Sequence, residues 1–208
     1  MAAKSVLNIN EEQLAFYWAI GLTITQWAHV EHALFQVVYR AFGNSENRGL
    51  AGGFFSIENF RSKLAFVDRV AAASKEFEPF YAEWAKLRDD VRALSSRRNE
   101  LAHSQVMVFL SAPEGRRYAI VPLFGPKPSK KHNPQHPPPG SICVRDIDLT
   151  RLRFSKAFVR LTSLCCRIDG HEDLFAEHAQ QEPKAQSLGE LKRQIHAMSG
   201  QPAQSSDE

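Results

Sequence analysis

The sequence predicts a mainly α-helical protein, with about four long helices and a β-hairpin inserted after the third. Three observations point there. Apolar residues recur every three or four positions through most of residues 10–103 and again over 148–168, the period of a helix that buries one face. Over residues 105–124 the period changes to two, as in a strand. A content of 43% hydrophobic residues, with 14 Phe, supplies a core and excludes a disordered chain.

The first helix is expected from Asn10, a good N-cap, to about Gly43 and Asn44, a stop signal. Glu11 and Glu12 suit its first turn, where the dipole is positive. Its expected buried stripe is Tyr17, Ile20, Ile24, Trp27, Glu31, Leu34 and Val38. Glu31 interrupts that stripe, and a buried carboxylate needs a partner. Residues 43–56, rich in Gly and Ser, read as a loop. A second helix is expected over Ser56–Ser74, with Phe60, Leu64, Val67 and Ala71 inward. A third should run from Glu78 to His103, with Pro79 in its first turn. Its stripe is Trp84, Leu87, Val91, Leu94, Arg98 and Leu101. The first and third helices thus each carry one charge, of opposite sign, on an apolar stripe. Glu31 is therefore expected to pair with Arg98, either supporting a site or only fixing helix register.

The hairpin is expected from alternation over Val106–Leu110, a turn at Ala112–Gly115 and a return over Tyr118–Phe124. Residues 125–141 hold six of the eleven prolines and read as an exposed loop. Ile142–Val144 suits a short strand, and Asp148 would cap a last long helix. Leu149, Leu152, Phe158, Leu161, Cys165 and Ile168 should face inward. Arg151, Arg153, Lys156, Arg160 and Arg167 should mark the outer surface of that helix. Residues 1–182 would form one helical domain, with hairpin and Pro-rich loop at 104–145, and residues 183–208 a flexible tail.

The net charge of +3 is unevenly placed. Residues 1–103 carry 12 basic and 12 acidic side chains, residues 104–167 carry 11 and 3, and residues 168–208 carry 3 and 8. The basic excess begins just after the stretch Arg97–Ser104, RRNELAHS. In it Arg98, Asn99 and His103 could hold a phosphate, orient a hydroxyl and move a proton. A local positive field beside such a trio points toward nucleic acid. Arg116, Arg117, Lys127, Lys130 and Lys131 are the residues expected to hold RNA.

Other chemistries find less support. His29 and His32 have no cysteine nearby, and Pro134 breaks the spacing of His132 and His136, so no metal site is expected. Gly49, Gly52 and Gly53 lack the lysine and spacing of a phosphate-binding loop, and no recognition helix stands out. No cofactor is expected. Cys143, Cys165 and Cys166 read as free thiols of a reducing compartment. The first 25 residues carry no signal pattern and no long apolar run occurs, so a cytoplasmic protein without membrane contact is expected.

Arg98, Asn99 and His103 resemble the motif of the HEPN superfamily: an arginine, a polar residue directly after it, and a histidine a few positions on. The long first helix with Trp27-Ala28-His29-Val30-Glu31, and then Phe60-Arg61-Ser62-Lys63-Leu64, resembles bacterial members. The likeness covers about residues 12–178. It implies an up-and-down helical bundle that forms a homodimer, with two motifs across one cleft. Active members are metal-independent endoribonucleases, often toxins or defence effectors with an antitoxin or other protein partner. Other members keep the fold as non-catalytic modules that bind a partner protein or RNA. The resemblance makes His103 the acid–base group, Arg98 the stabiliser of the transition state, Asn99 the residue that orients His103 or the substrate, and Glu31 the support of Arg98.

Overall fold

The computed structural model describes residues 11–43, 48–111, 115–122, 136–171 and 175–180, with the single positions Asn133, Asp173, Glu190, Arg193 and Gln194. The element order is α1 (Glu11–Ala41), α2 (Arg48–Phe55), α3 (Phe60–Ala73), α4 (Tyr81–Ala102), β1 (Ser104–Ser111), β2 (Gly115–Pro122), α5 (Val144–Ile168) and α6 (Ala176–Gln180). It is mostly helical, with one antiparallel hairpin after α4. Among the described residues no helix is long and apolar enough to cross a membrane.

Local signals set the helix ends. Asn59 caps α3, its side-chain oxygen accepting from the Ser62 N–H at 3.2 Å. A 3-10 turn over Glu78–Phe80, containing Pro79, leads into α4. α5 begins at Val144, where Asp146 accepts from the backbone N–H of Cys143 at 3.0 Å. That is the back-reaching half of a capping box, which puts the N-cap at Cys143 rather than at the expected Asp148. Asp148 is instead buried. Gly43 and Gly170 follow α1 and α5 at φ 69° each, the left-handed turn that glycine permits. After α5, Gly170 N–H reaches Arg167 O and His171 N–H reaches Cys166 O, closing a Schellman motif.

The chain divides into two compact units. One contains Thr23–Ala102 and Thr150–Lys184. Its core joins Trp27, Leu34 and Val38 of α1, Phe54 of α2, Leu64 and Val67 of α3, Trp84 and Leu87 of α4, and Phe154 and Leu161 of α5. Trp27 meets the Phe154 ring edge-on at 4.9 Å and the Phe60 ring at 4.8 Å. The other unit contains Met1–Leu22, His103–Leu149 and Ala185–Glu208. Its hairpin runs in register from Ser104↔Pro122 to Ser111↔Gly115. Ile142 adds a single bridge to Ile120, and Phe16 meets Tyr118 at 6.0 Å.

Several sequence expectations are corrected. Tyr17 and Ile24 are exposed, while Phe16, Ala19 and Thr23 are buried in their place. Residues 14–24 are apolar nearly all round, so periodicity could not select the inner face there. The expected loop over 43–56 contains α2. The strand expected over Ile142–Val144 shrinks to one bridge because α5 has already begun. Phe154, absent from the expected inner face of α5, is fully buried. Asn10, the turn at 112–114, most of the Pro-rich loop and most of the tail lie outside the described residues.

The three thiols differ in setting: Cys143 is exposed, Cys166 half-buried and Cys165 buried. Burial pushes the Cys165 thiol up to about 12. A thiol reagent should therefore modify Cys143 in the native protein and Cys165 only on unfolding. Because the folded value is raised, the protonated thiol's advantage is complete below the ordinary thiol range and is lost as pH rises toward about 12. Thermal melts across that alkaline window should fall less steeply for Cys165→Ala than for wild type.

Candidate active site

α4 delivers the motif. Trp84, Leu87 and Val91 on its inner stripe are fully buried, and Leu94 is partly buried against the same core. One turn further, Arg98 is half-buried and Asn99 exposed. His103 directly follows the last helical residue, Ala102, and is also exposed. That is the C-cap position, at the negative end of the helix dipole. The boundary between the two compact units falls between Ala102 and His103.

Arg98 does not pair with Glu31. Its Nη1 donates to the side-chain oxygen of its neighbour Asn99 at 3.1 Å. Glu31 accepts instead from Trp27 Nε1 at 2.7 Å and Lys63 Nζ at 2.8 Å. Lys63 is only 6% exposed, and its ammonium lies 5.2 Å from the Phe54 ring centre. The physical reason is proximity on the stripes. Trp27 is one turn before Glu31, and Lys63 lies three residues after Phe60 and four before Val67. Lys63 is therefore on the inner face of α3, and that spacing was the signal that could have identified it.

The other arginines of α4 are matched to carboxylates. Arg88 binds Asp68 at 2.9 Å and Asp89 at 3.1 Å, Arg92 meets Asp89 at 3.3 Å, and Arg97 meets Glu100 at 2.6 Å. Asp68 also accepts from Trp84 Nε1 at 3.0 Å, so this cluster joins α3 to α4. These bonds hold the Arg88 guanidinium charged far into alkali and keep the Asp89 carboxyl below the usual carboxylate range. Among the described residues, Arg98 binds only the neutral amide of Asn99. Among those residues no carboxylate compensates its charge, and its side chain is half-buried.

The expected basic surface is reduced. On α5, Arg160 pairs with Asp90 at 2.6 Å and Arg167 with Glu83, both on α4. Arg116 and Arg117 are in β2, in register with Leu110 and Phe109. Lys127, Lys130 and Lys131 lie outside the described residues. Among the described residues, no group of three or more His, Cys, Asp or Glu could hold a metal ion. No family model, curated protein or solved structure matches the chain.

The pairing can be tested by double-mutant cycles. Glu31→Gln and Lys63→Met should each destabilise by about 1–3 kcal/mol, the pair being buried but not fully so. Their effects should couple strongly, whereas Glu31→Gln and Arg98→Met should add independently. Urea unfolding of the single and double variants reads both results.

Proposed function

We propose that the chain is a metal-independent endoribonuclease of the HEPN kind that cleaves single-stranded RNA. One observation carries this reading: among the described residues Arg98 is bound by an amide rather than a carboxylate, near the end of α4, with Asn99 exposed beside it. A fixed, uncompensated guanidinium suits a phosphate that gains charge in the transition state. Exposed His103 suits proton transfer with a substrate from outside.

In the proposed reaction the ribose 2′-oxygen attacks the adjacent phosphorus while His103 takes its proton. The bond to the 5′-oxygen breaks, and His103 returns the proton to that oxygen as it leaves. The products are a 2′,3′-cyclic phosphate and a 5′-hydroxyl. Arg98 would stabilise the non-bridging oxygens. Asn99 would hold Arg98 through its carbonyl oxygen and keep its NH₂ for the substrate, the supporting role first expected of Glu31. Two copies would place their motifs across one cleft, and the basic residues of the hairpin and Pro-rich loop would track the RNA backbone. The setting would be a cytoplasmic toxin or defence effector, restrained by an antitoxin or other protein.

A second reading, a non-catalytic module that binds a partner protein or RNA, draws on β1. Met107 and Val108, neighbours that point to opposite faces of the hairpin, are 43% and 47% exposed.

Purified protein incubated with single-stranded RNA in EDTA should yield fragments ending in 2′,3′-cyclic phosphate. His103→Ala should slow cleavage by about 10²–10⁴. Equal cleavage by wild type and His103→Ala would remove His103 from the mechanism, and no cleavage by folded protein would leave the binding module. Asn99→Asp should pair with Arg98 as the other α4 arginines are paired. Binding measured with salt should then weaken, and its slope should become shallower by about one phosphate contact.

A further inference from the structure

α2 is a helix that its own sequence scarcely supports. Its eight residues read RGLAGGFF, fewer than the roughly 12–15 at which an isolated helix becomes even marginal in water. Gly52 and Gly53 fall within it, and a Cβ built at either meets nothing within 4 Å. Close packing within the chain therefore does not require these glycines. Each weakens the helix relative to alanine by enlarging the freedom of the unfolded segment.

Apolar contact holds α2, with Leu50 partly buried against the core beside its aromatic rings. Phe54 is buried, and the rings of Phe54 and Phe55 lie 5.5 and 5.4 Å from that of Phe35 in α1. Ser56 adds a closing bond from its hydroxyl to Gly53 O at 2.8 Å. The same two rings flank the Lys63 ammonium, with centres 5.2 and 5.8 Å from Nζ. Lys63 remains tied from below by Glu31 on α1. α3 needs no support from α2 at its N-terminus, which Asn59 caps.

We propose that α2 is a latch over Lys63: it unfolds locally while α1, α3 and α4 stay folded, and its opening admits solvent and solutes to the Lys63 ammonium. A short segment with weak helix propensity, one fully buried side chain in Phe54 and one partly buried in Leu50 belongs to the least stable part of a fold. The Lys63–Glu31 bond remains in the open state, so opening converts a covered ion pair into an accessible one.

The test uses the full chain and its Gly52→Ala, Gly53→Ala and double variants. Hydrogen exchange of α2 amides is followed by mass spectrometry, beside acylation of lysines by an N-hydroxysuccinimide acetate. In wild type, α2 should exchange well before the core amides of α1 and α3, and Lys63 should acylate more slowly than exposed Lys86. Each alanine should slow both α2 exchange and Lys63 acylation by about fivefold, and both together by roughly 25-fold, with Lys86 unchanged. Exchange of α2 only on global unfolding would overturn the latch. So would alanines that slow α2 exchange yet leave Lys63 acylation as it was, because α2 would then not be the cover.

Discussion

A carboxylate and an ammonium placed on apolar helix faces must meet each other, and in this protein Glu31 and Lys63 do. Both lie beside the rings of Trp27, Phe54 and Phe60, where leaving either charge without the other would cost free energy. The bond between them ties α1 to α3 at one register. A shift of either helix by one residue would turn its charge some 100° away from the partner. The Trp27 N–H, donating to the same carboxylate, links that register to the ring that meets Phe154 on α5. Three helices are thus positioned about one carboxylate. A second carboxylate, Asp68, does similar work between α3 and α4 by accepting from Trp84 and Arg88.

These pairings decide which charges remain available. The excess of positive charge in the second half of the sequence suggests a basic surface on the last helix. The fold instead turns Arg160 and Arg167 toward Asp90 and Glu83 of α4. α4 in turn matches Arg88, Arg92 and Arg97 with acids. Net charge by segment therefore overstates the field of α5, because the compensating acids lie far away in sequence and near in space. Arg98 stands apart for a local reason. Its neighbour Asn99 offers an oxygen without a negative charge.

The helical character, the hairpin after the third long helix and the inner face of α4 were legible in the sequence because period alone fixes them. The face of α1 before Thr23 was not, since Leu14 through Ile24 are nearly all apolar. Nor was α2, whose glycines read as a loop and whose helix depends on the tertiary contacts of Phe54 and Phe55. The partner of Glu31 was not legible, for a different reason. Opposite charges on two stripes suggested Arg98, yet α3 also turns a stripe inward and carries Lys63 on it among apolar neighbours. Exposure of Asn99 and His103 followed from position at a helix end. The bond between Arg98 and Asn99 did not, because adjacent residues on a helix are seldom expected to meet.

The inner stripe of α4 explains how an arginine can occupy an apolar position at all. The stripe begins deep, at Trp84, Leu87 and Val91, and Leu94 is already only partly buried. By Arg98 the stem can lie along apolar surface while the guanidinium reaches solvent, the habit of long basic side chains. A leucine or methionine there would continue the stripe with no charge to desolvate. A carboxylate neighbour would have satisfied the arginine as it does elsewhere on this helix. The residues present do neither. They set a cation at the edge of the core and direct it with an amide, and among the described residues no carboxylate answers its charge, an arrangement that adds little to stability.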